Sequence, residues 1–104
     1  MTLGAFTHSL VELTGVSGVK LGDHAGLSAV VIAAAGAVGL SSFDPPVVRS
    51  GPKGLAVGLL GHGGHILLHA VPDEGRCLVD IVAQAPASAA RGVEVISKRL
   101  GTDG

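Results

Sequence analysis

The sequence predicts an α+β fold: a two-layer sandwich with a mainly antiparallel β-sheet and two helices on one of its faces. Three observations lead there. The elements read in the order strand, helix, several strands, helix. Two β-rich runs, "HILLHAV" and "RCLVDIVAQ", are joined by the tight turn "PDEG", a hairpin signature. In the second run Cys77, Val79, Ile81 and Ala83 alternate with Leu78, Asp80, Val82 and Gln84. One side of the sheet is therefore covered by helices, and the other, carrying Asp80 and Gln84, faces a cleft or a second subunit.

In chain order, "HSLVELTGV" (8–16) reads as the first strand, with Leu10, Glu12 and Thr14 alternating with Val11, Leu13 and Gly15. "SGVKLGDHAG" is a glycine-rich connection. Asp23 then caps an alanine-rich helix over 25–38, whose small residues permit close packing on a sheet. Pro45 and Pro46 end that region, because proline confines the chain to extended or turn geometry. A short strand over 47–49, the turn "SGPKG" and a strand over 55–62 follow. After the hairpin of 65–71 and 76–84, Pro86 and Ser88 open an amphipathic helix that stops at Gly101.

A length of 104 residues implies one domain, 1–104, with a modest core. Apolar residues make up 47% of the chain and aromatics only 2%, so Val, Leu, Ile and Ala must build that core. A net charge of −1 argues against a nucleic-acid or anionic-membrane surface. Low charge with an apolar surplus favours a homodimer. The longest apolar stretch, 25–40, is shorter than the roughly 18–20 residues of a membrane span. The opening "MTLGAFTHSL" lacks a signal peptide's basic start and apolar region, so the cytoplasm is the expected location. One cysteine excludes an internal disulfide and a multi-cysteine metal cage. Cys77 falls among the core-facing residues, where a small buried hydrophobe is expected.

Chemistry concentrates in "GHGGHILLHAVPDEGRC" (61–77). His65, Leu67 and His69 share one strand face, placed with Asp80 and Gln84 on the polar side. A metal held by His62, His65 and His69 is disfavoured, because four residues of strand separate His65 from His69 by about 13 Å. That is too far for one zinc at about 2 Å per bond, which leaves only a metal shared across a dimer. His8 opens the first strand within reach of the cleft, although surface exposure is expected for it; His24 beside Asp23 faces solvent.

These residues resemble the bacterial type of S-adenosylmethionine decarboxylase. The family's signature run is Glu-Ser-His-x-Ser/Thr-Ile-His-Thr-Trp-Pro-Glu, then a glycine turn and a strand with Val-Asp. The run "GGHILLHAVPDEGRCLVD" is similar at His65, His69, Pro72, Gly75, Val79 and Asp80, with Asp73 standing for glutamate. "HSLVEL" resembles the opening strand, and the element order extends the likeness over nearly the whole chain. The resemblance implies a protomer of that family's fold. It also implies self-cleavage at Glu-Ser, with the serine becoming a pyruvoyl group. Here that bond is Gly63–Gly64. The N→O acyl shift needs a side-chain hydroxyl or thiol, and glycine has none, so no pyruvoyl and no other cofactor is expected. The family's proton-donor cysteine aligns with Gln84, and Cys77, seven residues away, points to the opposite face. The aromatic that stacks on adenine aligns near Ser50, a small serine with Ala56, and the tryptophan with Val71.

What remains suits a repurposed small-molecule enzyme of lyase or isomerase type, performing elimination, cyclisation or isomerisation. His69 would be the principal acid/base, since histidine's unperturbed pKa lies near neutrality. His65 and Asp80 would support it, with Asp73, Gln84 and His62 binding a small-molecule ligand. Gly63 and Gly64 would let backbone N–H groups approach that ligand. The alternative is a non-catalytic regulatory partner or ligand-binding homologue of an active S-adenosylmethionine decarboxylase in polyamine synthesis.

Overall fold

The computed structural model describes residues 5–101. Five strands form one antiparallel sheet: β1 (Phe6–Leu13), β2 (Val47–Gly51), β3 (Gly54–Gly61), β4 (Gly64–Val71) and β5 (Arg76–Gln84). Their spatial order is β1-β5-β4-β3-β2. Among the described residues the sheet is joined by three α-helices, α1 (Gly18–Leu21), α2 (His24–Val38) and α3 (Ala89–Leu100), and a 3-10 turn at Pro72–Glu74. Among the described residues no helix is long and apolar enough to cross a membrane.

The layered architecture follows from alternation. Val57 and Leu59 of β3, Ile66 and Leu68 of β4, and Val79 and Ile81 of β5 are buried beneath Leu27, Val31 and Ala34 of α2 and Ile96 and Leu100 of α3. Each fully buried Leu, Ile or Val contributes roughly 1.5–3 kcal/mol of transfer free energy. The helices approach closely where side chains are smallest. A side-chain carbon on Gly92 of α3 would lie 2.7 Å from Ile81 Cδ1 and 2.8 Å from Val38 Cγ2, so glycine sets the α2–α3 spacing. Asp23 caps α2 as expected, its Oδ1 accepting from Gly26 N–H at 3.0 Å, and Gly39 closes the helix in the left-handed region.

The largest departures from expectation lie in β1, the glycine-rich connection and the β3–β4 turn. The first strand ends at Leu13, not residue 16, because Gly15 turns the chain at φ +68° and Val16 N–H instead donates to Gly75 O at 3.0 Å. Within the glycine-rich connection a single helical turn, α1, forms around Leu21, which is wholly buried. His62 lies in the β3–β4 turn and not in β3, since Gly61 pairs directly with Gly64 across a two-residue loop whose second member, Gly63, has φ +83°.

α3 is capped from a distance. Ser88 at its N-cap makes no side-chain bond; the Thr7 hydroxyl of β1 accepts from Ala89 N–H at 3.0 Å. The same hydroxyl lies 2.8 Å from the Ala87 carbonyl, to which it donates. The chain's first strand thereby fastens the start of its last helix.

Candidate functional site

The face of the sheet opposite the helices carries His8, Leu10 and Glu12 of β1, Leu78, Asp80, Val82 and Gln84 of β5, and His65, Leu67 and His69 of β4. The antiparallel registers set who meets whom. His8 and His65 both pair with Val82, from opposite sides, while Asp80 lies two residues along β5 on the same face. Each imidazole therefore stands diagonal to the Asp80 carboxylate, an offset that long side chains bridge across neighbouring strands.

They do bridge it. His8 Nε2 lies 2.6 Å from Asp80 Oδ1, and His65 Nε2 lies 3.8 Å from Asp80 Oδ2. An ionised carboxylate only accepts, so the proton sits on His8 Nε2. In the neutral imidazole Nδ1 then keeps its lone pair, the arrangement that equips a histidine as a base. The pair is partly exposed, so its worth to stability is small, and its consequence is orientation of the ring.

Gly63, Gly64 and Gln84 collect at the same end of the sheet. Gly64 pairs with Ala83 of β5. A side-chain carbon on Gly64 would run into the Val82 carbonyl oxygen and lie 2.9 Å from Ala83 Cα. On Gly63 it would lie 3.0 Å from Gln84 Oε1, so the Gln84 side chain rests against that glycine. Position 64 thus carries no side-chain oxygen and has no room for a carbon that would bear one.

The remaining expected site residues stand elsewhere. His69 shares the face with Asp80 but pairs with Leu78, four residues along β4 from His65, and makes no hydrogen bond or ion pair with His65, Asp80 or Asp73 among the described residues. Strand rise keeps the His69 ring apart from that of His65. Asp73 lies in the 3-10 turn Pro72–Glu74 beyond β4 and lines a separate cavity with Lys53 and Glu74. His62 is turned away from the cluster: its ring lies against Phe43, centroids 4.0 Å apart. No group of three or more His, Cys, Asp or Glu side chains among the described residues is arranged to hold a metal ion.

His8 is the candidate that the sequence places within reach of the cleft but not against Asp80. His8 was legible as a strand residue, but its bond to Asp80 spans 72 positions of sequence and depends on β1 docking against β5. Cys77 is wholly buried on the helix-facing side, and burial pushes its thiol up to about 11.

A family model described as S-adenosylmethionine decarboxylase matches residues 7–104. The solved structure of the adenosylmethionine decarboxylase from Aquifex aeolicus VF5 resembles this one with a TM-score of 0.84 over 96% of this chain and 83% of that chain, at 20% identity. At that identity the likeness speaks for the fold. No curated protein sequence matches.

Proposed function

This chain belongs to the S-adenosylmethionine decarboxylase family, and we propose that it is a member working without the family's pyruvoyl group, as a cytoplasmic small-molecule enzyme centred on Asp80 and its two histidines. The observation that carries this reading is the 2.6 Å contact that holds His8 in one tautomer against Asp80. Position 64 supports it from the other side: a glycine with no nucleophile and no space does not fit a group made from a serine.

The chain's own residues then supply proton chemistry alone. His8 Nδ1 takes a proton from the substrate, and Asp80 stabilises the imidazolium that results. His65, on the other side of the same carboxylate, returns a proton to the opposite end of the reacting bond. Gln84 and the Gly63–Gly64 backbone offer hydrogen bonds to a carbonyl or similar polar group. Elimination, cyclisation and isomerisation all fit such a pair, and each positioned acid or base contributes roughly 10²–10⁴-fold.

A thermal-shift screen against a metabolite library supplies candidate substrates. For any turnover found, Asp80→Asn is expected to lower kcat/KM by at least about 100-fold with the fold intact. Undiminished turnover would overturn the assignment. Intact mass is expected to give one uncleaved chain; two fragments summing to it would reinstate self-processing.

A second reading, a non-catalytic partner of an active decarboxylase, is favoured by the apolar residues around the cluster. Leu10 is 57% and Leu60 66% exposed on this face, beside Phe6 and Leu78. The same residues suit a homodimer whose two open faces meet. Co-purification with an active decarboxylase in place of self-association would favour the partner reading.

A further inference from the structure

We infer that the β2–β3–β4 end of the open face is a binding site for a small organic anion, with Arg49 and His69 as its ligands. Arg49, Ala56 and His69 are cross-strand partners in one row, Arg49 opposite Ala56 and Ala56 opposite His69. Two strand spacings place the outer Cα atoms roughly 10 Å apart with both side chains on one face. Between them stands only a methyl group, and two residues further along β3 Gly58 adds nothing. A trough results. One cavity of about 370 Å³ is lined by Arg49, Lys53, Ala56 and His69, and a second of about 170 Å³ adjoins it over Val47, Gly58 and Leu67. The larger is in the size range of small-ligand sites.

Among the described residues neither Arg49 nor His69 has a carboxylate partner in the trough. Arg49 spends Nη1 on the Val48 carbonyl, at 3.0 Å, and among the described residues it makes no ion pair. His69 has no hydrogen-bond partner there either. The contrast with the rest of the face is direct: Arg76 is met by Glu12 at 3.2 Å and Glu74 at 3.3 Å, and Asp80 stands between two histidines. On this face Arg49 is the arginine left without a carboxylate partner among the described residues. Lys53 also borders the trough, but Asp73 and Glu74 share its other cavity, so the anion is assigned to Arg49 and His69. A guanidinium fork suits a carboxylate or a phosphate, and the Val47 and Leu67 walls suit a short apolar body attached to it.

The site is read by binding and does not depend on the acid/base reading. Amide chemical shifts of the full chain are followed while inorganic phosphate, or butyrate, is added at constant ionic strength. Saturable shifts confined to residues 49–57 and 69–70 are expected. Arg49→Ala should weaken binding at least tenfold, Arg49→Lys less, and Arg91→Ala on α3 not at all. Saturation by phosphate alone assigns a phosphate ester, and by butyrate alone a carboxylate. Linear, unsaturating shifts with both anions overturn the site, as does equal affinity in a folded Arg49→Ala. Loss of turnover in Asp80→Asn with anion binding retained separates this inference from the catalytic one.

Discussion

At Cys77 the alternation of β5 decides chemistry from one atom's surroundings. The thiol lies against the helices, wholly buried, and loses the hydration a thiolate needs. In the folded protein it should resist a disulfide reagent at pH 8 and react fully once the chain is denatured; rapid labelling of the native state would contradict the burial. A dependence on pH follows as well. Below pH 9 the thiol is neutral whether the chain is folded or unfolded, whereas between 9 and 11 only the unfolded chain loses the proton. Stability therefore falls as pH rises through that window, by up to roughly 3 kcal/mol. Cys77→Ala should flatten this alkaline limb in urea titrations at pH 8 and pH 11. The face of Cys77, like that of Asp80 and His65, was legible because strand periodicity is local. The partner of Asp80 was not, since no pattern within "HSLVEL" encodes which strand it will dock against.

At the β3–β4 turn the packed backbone leaves no room for a side chain at position 64. Gly61 and Gly64 close a two-residue loop in which Gly63 occupies positive φ and Gly64 abuts the β5 backbone. Gly64→Ser supplies the hydroxyl that self-cleavage needs, yet it must displace the Val82 carbonyl to fit. The expected result is a chain of unchanged mass, destabilised by about 1–3 kcal/mol in urea unfolding; efficient cleavage would refute the steric argument. Elements with strong punctuation were readable, and the β4–β5 hairpin falls where proline and glycine place its turn. α1 was not. Four residues with a glycine carry no period, and what makes them a helix is the burial of Leu21 in a core assembled from distant strands.

For the molecule as a whole, the two-layer arrangement leaves one sheet face uncovered, with Leu10, Leu60 and Leu78 exposed around the Asp80 cluster. Association through that face should give a dimer in light scattering, and Leu60→Glu should shift it to monomer while far-ultraviolet dichroism stays unchanged. A wild-type chain that is monomeric at high concentration would overturn this. The layer count was legible in the order of elements; the placing of β1 beside β5 was not, because it rests on contacts between the two ends of the chain. The Thr7 clamp has a consequence for how the protein is made. As translation proceeds, the earliest strand has no neighbour until residues 76–84 leave the ribosome, and α3 has no cap until that strand arrives. Nascent chains must therefore wait with β1 unpaired, and its docking against β5 and the start of α3 is a single late event of high contact order.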